Sequence, residues 1–339
     1  MKKIKIKCVD FWPNAEKDMA IFWDTLRQRY ELEFCEEPDY LFYSCFGNEN
    51  LKYTDCIKIC VHWENLTPDF NLCDYALAFD LMTYGDRYLR YPYAMRMLDR
   101  PELYDREKRS AAQENRTRFC SFVYSNNEAD PMRGDILKAV AAYKSVDCGG
   151  KVGHNIDIPE HEGWGWQRDR LEFEKQYKFS IACENSSTPG YVTEKIFISL
   201  AAGTIPIYWG DPTIKQVVNE KAFINVSDYP TLDALVKRIR KIDEKDDLYQ
   251  EMIAQPVFQP GWNCETEQAK LQTFLYNIFD QPKAQAYRRN MAYWGKRYQQ
   301  HMLSRVINEN SWFALCEKRQ KNPVFRAAKK VQGLMLIKK

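Results

Sequence analysis

The sequence lacks the motifs of several large classes of enzyme. No G-x-G-x-x-G follows the first predicted strand and no G-x(4)-G-K-[S/T] occurs, which argues against a dinucleotide redox enzyme and a P-loop NTPase. No D-x-D pair of carboxylates is present, and the four histidines show no ligand spacing: His62, His154, His161 and His301. We therefore predict no metal site. A net charge of only +2 also argues against a general nucleic-acid binder.

Long apolar runs are absent as well. No run approaches ~18 residues, so no membrane-spanning helix is predicted. The first residues alternate lysines with Ile4, Ile6 and Cys8, which is typical of a β-strand and not of a signal peptide. There are eleven cysteines, but the number is odd and no C-x-x-C pair occurs. This pattern favours reduced thiols and a cytoplasmic location.

The 339 residues allow two α/β domains of ordinary size. Short apolar strands alternate with helical periodicity, which predicts parallel sheets. The first set comprises strands at Lys3–Val9, Tyr40–Ser44, Cys56–His62 and Tyr75–Phe79, and a helix at Glu16–Tyr30. The second set comprises a strand at Phe119–Tyr124 and helices at Asp135–Tyr143, Leu232–Ile242 and Glu267–Phe279. The charged segment Asp105–Arg118 between them is predicted to be a linker or a hinge-side helix.

The stretch Lys178–Gly210 is the most informative part of the chain. It predicts a strand at Phe179–Cys183, a polar loop, a helix that ends at Gly203, and a strand at Ile205–Tyr208. Lys195 lies in the first helical turn, where free N–H groups and the positive end of the helix dipole favour a phosphate. On these residues alone an ordinary polar loop is an equally good interpretation. The proline at position 206 also argues against a central strand.

The order of residues in this stretch resembles a known family. E-N-x(5)-Y-V-T-E-K, followed by A-A-G-T-I-P-I-Y-W-G, is similar to the donor-binding signature of the α-1,3/4-fucosyltransferases, glycosyltransferase family 10. The earlier segment S-F-V-Y-S-N-N, followed by Arg133, resembles the F-V-x-S-N…R segment that opens the donor domain of this family. The resemblance covers most of residues 1–230 and is weak beyond them.

The resemblance implies a GT-B fold, in which two Rossmann-like α/β domains face a central cleft. It implies an N-terminal acceptor-binding domain over residues 1–115 and a GDP-fucose-binding domain over residues 116–303. Residues 304–339 are then C-terminal helices with a basic amphipathic tail. Two α/β domains would also fit a dehydrogenase or a synthetase, so the topology alone does not give the activity.

The resemblance assigns the donor site residue by residue. Arg133 matches the arginine that contacts the diphosphate, and Lys195 matches the lysine of the E-K pair. The other donor-site residues are Ser125, Asn126, Asn185, Tyr191, Thr193 and Glu194. Without the resemblance, Arg133 would be interpreted as a solvated arginine at a helix start. Because no D-x-D motif is present, cationic side chains are expected to neutralise the leaving diphosphate in place of a metal.

A second motif carries the expected acceptor site. H-W-E-N, followed by P-D-F-N-L-C-D-Y-A, resembles the E-N…P-D-F-N-x-x-D-Y-A segment of the family's acceptor domain. Glu64 matches the family's proposed general base, and His62 and Trp63 are expected to shape the acceptor site. The alternative is a loop glutamate that caps a helix or forms an ion pair. Asp69 and Asp74 are interpreted as turn and fold residues.

Two segments match no family pattern. Trp164–Arg168 (W-G-W-Q-R) is assigned no role. After Glu317 the chain has eight basic residues and no acidic one. Its apolar residues recur at helical spacing, at Val324, Ala328, Val331 and Met335. This describes a basic amphipathic helix that could attach to a membrane surface, although a terminal helix packed on the N-terminal domain is the alternative.

The resemblance implies an inverting α-1,3-fucosyltransferase. Such an enzyme would transfer L-fucose from GDP-β-L-fucose to N-acetylglucosamine, or glucose, of a Galβ1-4GlcNAc-type acceptor, and would make Lewis X-type glycans. Its expected partners are GDP-fucose and a β-galactoside oligosaccharide, with no cofactor required. The lack of an N-terminal anchor favours a bacterial member over the Golgi members. The alternatives are a GT-B glycosyltransferase with another donor or linkage, such as α-1,4, and a non-catalytic nucleotide- or glycan-binding module.

Overall fold

The chain folds into two parallel β-sheets with helices packed against them. A computed structural model describes residues 1–13, 15–97, 103, 116–160 and 165–321. One sheet is built from residues 2–90 and the other from residues 118–225. The prediction of an α/β protein with two parallel sheets is therefore confirmed.

The first sheet has six strands in the order β2-β1-β3-β4-β5-β6. They are β1 (Lys2–Val9), β2 (Tyr30–Phe34), β3 (Tyr40–Tyr43), β4 (Ile57–Val61), β5 (Tyr75–Ala78) and β6 (Tyr88–Arg90). Strands β3 to β5 are buried along their whole length, as expected for parallel strands covered on both faces. Only the two edge strands of this sheet were not predicted from the sequence. β2 reads Y-E-L-E-F and β6 has three residues, so neither forms an apolar run.

The second sheet has five strands in the order β11-β10-β9-β7-β8. They are β7 (Arg118–Phe122), β8 (Val146–Cys148), β9 (Tyr177–Cys183), β10 (Ile205–Trp209) and β11 (Ile224–Asn225). Pro206 lies in β10, a strand that pairs with β9 on one side and with β11 on the other. A proline at this position argued against such a central strand. It is tolerated because β11 pairs only with Ile207 and Tyr208, so Pro206 has a strand neighbour on one side only.

Ten helices accompany the sheets in the described part of the chain. They are α1 (Ala15–Asp18), α2 (Ala20–Arg27), α3 (Met132–Tyr143), α4 (Trp166–Glu174), α5 (Glu194–Ala201), α6 (Leu232–Glu244), α7 (Asp246–Ile253), α8 (Cys264–Asp280), α9 (Lys283–Ala286) and α10 (Tyr293–Lys321). The single helix predicted over Glu16–Tyr30 is instead divided at Met19. Its second part, α2, buries Phe22 and Trp23 against Phe42 of the first sheet.

The chain returns to the first sheet after residue 263. Phe279 of α8 lies with its ring centroid 4.3 Å from that of Tyr40 in β3, and Phe274 packs edge-on against Tyr75 in β5. The Tyr30 hydroxyl donates to Asp280 at the end of the same helix. The predicted range 116–303 placed these residues with the second domain, whereas their side chains pack on the first sheet.

A buried ion pair fastens this returning segment. Asp74, just before β5, accepts a hydrogen bond from Nε of Arg289 at 3.0 Å, and both side chains are fully buried. The same carboxylate accepts the backbone N–H groups of Arg288, Arg289 and Lys58. Asp74 is therefore a fold residue, as the sequence suggested.

The C-terminal part of the long helix α10 reaches Lys321. The predicted basic tail continues to residue 339, and residues 322–339 lie outside those described, so membrane attachment by the tail stays a prediction. Most of the predicted linker, residues 105–115, also lies outside them. No helix within the described ranges combines the length and apolar character needed to cross a bilayer.

We predict that Asp74→Asn destabilises the protein by about 3–5 kcal/mol, because it leaves a buried guanidinium without its counter-charge. Urea denaturation would measure the change in the free energy of unfolding. The control is Asp24→Asn, which removes the partner of Arg27 from an exposed pair and should cost less than about 1 kcal/mol. Equal losses in the two variants would contradict the role given to Asp74.

Candidate active site

The loops that follow β4 and β9 meet in a cleft between the two sheets. Asn65, after β4, donates hydrogen bonds from its amide to the hydroxyls of Ser186 and Thr188, after β9. Arg90, at the end of β6, donates to the carbonyl of Gly190 in the same loop at 3.2 Å. Carboxyl ends of parallel strands are where ligands bind in open α/β folds, so both sheets direct their binding edges into this cleft.

Gly190 permits the close approach of the two loops. Its φ is +85°, and a Cβ at this position would lie 2.5 Å from the carbonyl oxygen of Phe79, just after β5. Its N–H donates to Asp211 at 2.7 Å. A side chain at position 190 would therefore both strain the backbone and push the two halves of the cleft apart.

Glu184 organises the start of α5. The side chain is completely buried, and its two carboxylate oxygens accept hydrogen bonds from the backbone N–H and the hydroxyl of Thr193, at 2.8 and 2.7 Å. Thr193 is the N-cap residue of α5, but its hydroxyl bonds to Glu184 and not to the helix. The position of α5 relative to β9 is thus fixed by a carboxylate from the end of the strand.

Lys195 is held between carboxylates. Its Nζ lies 3.3 Å from Glu184 and 3.6 Å from Glu194, and it donates to the Thr193 hydroxyl. Burial lowers the pKa of Lys195, but Glu194 and Glu184 more than offset it, so the pKa lies above its ordinary value. Burial likewise acts to raise the pKa of Glu194, and Lys195 and Arg170 bring it below the ordinary value. Lys195 therefore presents a permanent positive charge.

Arg133, in the first turn of α3, is buried and not solvated. Its guanidinium donates to the amide oxygen of Asn185 at 2.6 Å and lies 4.2 Å from the ring centroid of Tyr124. Weaker bonds reach the carbonyls of Asn126 and Cys183. Its Nε has no partner. A buried guanidinium with an unused donor at the end of a parallel strand is suited to an anionic ligand.

Arg170, in α4, is a second buried arginine that the sequence analysis missed. Its Nε pairs with Glu174 at 2.7 Å, one of its terminal nitrogens has no partner, and the guanidinium lies 5.8 Å from the Tyr124 ring. In sequence, Arg170 and Glu174 read as an ordinary i, i+4 pair on a helix surface. Nothing in the local pattern signals that both are buried.

Two adjoining cavities occupy the cleft. The first has a volume of about 800 Å³ and is lined by Arg133, Arg170 and the end of β7; the second has about 780 Å³ and is lined by Glu64, Trp63 and the loops of the first sheet. Four residues line both cavities: Trp166, Asn185, Glu194 and Lys195. The cavities are therefore two parts of one site.

Glu64 lines the second cavity, which it shares with the positively charged side chain of Lys195. It follows β4 and is exposed to the cleft. Surrounding protein nevertheless desolvates its carboxyl and raises its pKa above the ordinary value. Lys195 acts against this rise, while Glu194 and Glu184 add to it. A carboxylate with a raised pKa beside a cavity is suited to accept a proton.

The other predicted site residues divide between the cavities. Ser125 and Asn126 line the first, and Trp63, Tyr191 and Thr193 line the second.

His62 is the predicted residue that the structure does not bring to the cleft. It lines neither cavity, and burial lowers its pKa. Its Nδ1 has no hydrogen-bond partner. By contrast Trp166, to which the sequence analysis gave no role, lines both cavities.

Positive charge at the first cavity comes from Arg133, Arg170 and Lys195. Across the described ranges no three His, Cys, Asp or Glu side chains lie close enough together to hold a metal ion. The expectation that cationic side chains neutralise the ligand without a metal stays a prediction.

Two family models match successive parts of the chain. The "Alpha-(1,3)-fucosyltransferase FucT N-terminal domain" matches residues 6–96, and "Glycosyltransferase family 10 (fucosyltransferase) C-term" matches residues 113–254. The chain belongs to glycosyltransferase family 10. The first match begins within β1 and spans the rest of the first sheet, and the second match spans the whole second sheet.

Individual relatives agree with this membership. The alpha-(1,3)-fucosyltransferase FucT of Helicobacter pylori is 30% identical over 295 residues, which are 74% of this chain and 59% of that protein. The crystal structure of an alpha1,3-fucosyltransferase with GDP-fucose is similar with a TM-score of 0.66 and 26% identity, and covers 86% of this chain and 94% of that one. The human GDP-fucose protein O-fucosyltransferase 3 is 32% identical over 141 residues, which are 40% of this chain and 29% of that protein. The expected GT-B fold is thereby confirmed.

We predict that Arg170 and Arg133 each bind the anionic part of a nucleotide. Arg133→Lys and Arg170→Lys keep the charge but remove the planar fork, and each should weaken GDP binding about 10- to 100-fold, as for the loss of a charge-assisted hydrogen bond. Isothermal titration calorimetry would measure the dissociation constants.

Arg118→Lys is the matched control, because Arg118 pairs with Asp147 on the same sheet but lines neither cavity. Its GDP affinity should equal that of the unmodified protein. Unchanged affinity in Arg170→Lys would show that the buried guanidinium serves only the pair with Glu174.

Proposed function

We propose that this protein is an inverting α-1,3-fucosyltransferase. It transfers L-fucose from GDP-β-L-fucose to O3 of N-acetylglucosamine, or glucose, in a Galβ1-4GlcNAc-type acceptor, and so makes Lewis X-type glycans. The observation that carries the proposal is the placement of Glu64, from the first sheet, in a cavity continuous with the one lined by Arg133, Arg170 and Lys195, from the second sheet.

The first cavity would hold GDP-fucose. Its diphosphate would lie against Arg133 and Lys195, whose charges stabilise the departing GDP. The loops after β7 and β9 would hold the rest of the nucleotide, with Asn185 kept in place by its bond to Arg133. Glu194 and Tyr191 border the junction where the fucose would lie.

The reaction would be a single displacement. The acceptor hydroxyl attacks the anomeric carbon of fucose, the bond from that carbon to the β-phosphate oxygen breaks, and Glu64 takes the hydroxyl proton. The new glycosidic bond has the α configuration because attack comes from the side opposite the leaving group. GDP leaves with the bonding electron pair.

Another donor or an α-1,4 linkage remains the first alternative, since no described contact selects the guanine base or the acceptor position.

A protein acceptor is a second alternative. It is favoured by the similarity of residues of this chain to protein O-fucosyltransferase 3 from several vertebrates. A screen of GDP-fucose with glycan and peptide acceptors distinguishes a glycan fucosyltransferase from a protein fucosyltransferase. A protein that binds glycan but releases no GDP with any acceptor would instead be a binding module.

We predict that Glu64→Gln lowers kcat about 10²- to 10⁴-fold, the usual contribution of a general base. GDP affinity should stay the same, because Glu64 does not touch the predicted phosphate site. Thermal stability should not fall, since burial and neighbouring carboxylates disfavour the ionised form of Glu64 that the substitution removes.

The pH profile gives a second readout of the same prediction. Glu64 must be ionised to act as a base, so kcat/KM should be lost as the pH falls through its pKa, at a pH above the ordinary 4.5. A variant that binds GDP-fucose and transfers fucose at the unmodified rate would exclude Glu64 as the base.

We predict that EDTA leaves the transfer rate unchanged, because cationic side chains neutralise the leaving group. Rates measured with and without EDTA, and after addition of Mn²⁺, check this. Loss of activity in EDTA and its recovery with Mn²⁺ would overturn the metal-independent scheme.

A further inference from the structure

The second cavity has a wall of aromatic rings. Trp12 packs against Phe46 and Trp63, with centroid separations of 5.6 and 5.2 Å, and Trp63 contacts Tyr93 at 5.4 Å. Trp166, at the start of α4, lines the same cavity from the second domain. Aromatic rings therefore border this cavity on both sides of the cleft.

Two of these rings are left in solvent. Phe46 is 51% exposed and Trp166 is 58% exposed, although burying such rings usually contributes strongly to stability. Exposed aromatic rings at the rim of a cavity mark a surface that binds a ligand. Phe46 lines only the second cavity, together with Glu64, whereas Trp166 lies where the two cavities meet.

Three of the rings, Trp12, Trp63 and Tyr93, are held in place before any ligand binds. Asp18 accepts the indole N–H of Trp12 at 2.7 Å and also pairs with Arg96. The Arg96 guanidinium lies 5.4 Å from the centroid of Trp63, and Gln167 donates to the Tyr93 hydroxyl at 2.8 Å. Such fixed rings lose little conformational freedom on binding.

Two of the charged side chains at this wall, Asp18 and Arg96, neutralise each other, so this pair does not select an ionic ligand. A neutral ligand with an apolar face and several hydroxyl groups fits better, and a sugar ring has both. With about 780 Å³, the second cavity lies in the ordinary range of binding pockets and has room for more than the reacting sugar.

We propose that Phe46, Trp12 and Trp166 form a stacking subsite for a neutral oligosaccharide acceptor of at least two sugar rings. The reacting sugar lies beside Glu64, and the next ring stacks on this aromatic wall. This inference rests on the proposed function and adds the residues that select a glycan chain over a single sugar. From the sequence, only His62 and Trp63 were expected at the acceptor site.

The test compares acceptors of increasing length: N-acetylglucosamine, Galβ1-4GlcNAc and a tetrasaccharide that ends in Galβ1-4GlcNAc. Phe46→Ala and Trp166→Ala should each raise the acceptor KM for the di- and tetrasaccharide about 5- to 10-fold, in line with the loss of one ring stack. KM for the monosaccharide should change less. GDP affinity, measured alongside because Trp166 also lines the first cavity, should be preserved in Phe46→Ala.

Matched controls remove equally exposed rings elsewhere. Phe34→Ala and Trp294→Ala truncate side chains that are 52% and 69% exposed and line neither cavity. They should leave KM unchanged. Unchanged KM for the oligosaccharides in both Phe46→Ala and Trp166→Ala would overturn the subsite even though transfer to glycans, and hence the proposed function, stands.

If the protein transfers no fucose to glycans, the proposed function fails and the subsite is decided by binding. Saturation-transfer NMR with the tetrasaccharide should then show contacts that are lost in Phe46→Ala. Absence of binding to the unmodified protein would overturn the inference. The inference would also be overturned if no glycan binds and Phe46→Ala raises the KM for a peptide acceptor.

Discussion

The buried carboxylate of Glu184 is the interaction on which the site depends. It directly follows β9, accepts two hydrogen bonds from Thr193 at the start of α5 and lies 3.3 Å from Nζ of Lys195. An uncompensated carboxylate would be costly at full burial, but here two hydrogen bonds and an ammonium group satisfy it. Because Glu184 and Glu194 keep Lys195 charged in a desolvated place, the positive charge is in position before a ligand arrives.

The remainder of the architecture brings the carboxyl group of Glu64 to that charge from another sheet. Gly190 lets the loop after β9 touch the end of β5, and Asn65 joins the loop after β4 to the same loop. The Asp74–Arg289 pair fixes the returning C-terminal segment against the sheet that carries Glu64. Family 10 membership and this division of the cleft agree, since one family model spans the first sheet from within β1 onward and the other spans the second sheet.

Much of this could be predicted from the sequence where local signals are strong. The β-loop-α-β unit around Lys195 has clear apolar periodicity and a glycine stop, and the motif around Glu64 resembles a family segment. What was missed depends on long-range packing. Arg170 and Glu174 look like a surface pair, and only the folded chain buries them beside Tyr124. The aromatic wall joins Trp12, Phe46 and Trp166, which lie far apart in sequence and belong to no common motif. The return of α8 to the first sheet is likewise a tertiary contact with no local signature.

The central claim is that Glu64 on one sheet and the cationic residues on the other act together in a single displacement at one acceptor hydroxyl. NMR analysis of the product formed from GDP-β-L-fucose and Galβ1-4GlcNAc tests this claim most directly. We expect one new fucose, in the α configuration, on O3 of the N-acetylglucosamine, with one GDP released per bond formed. A β-linked fucose, or transfer only to peptide hydroxyls with none to the glycan, would contradict the account.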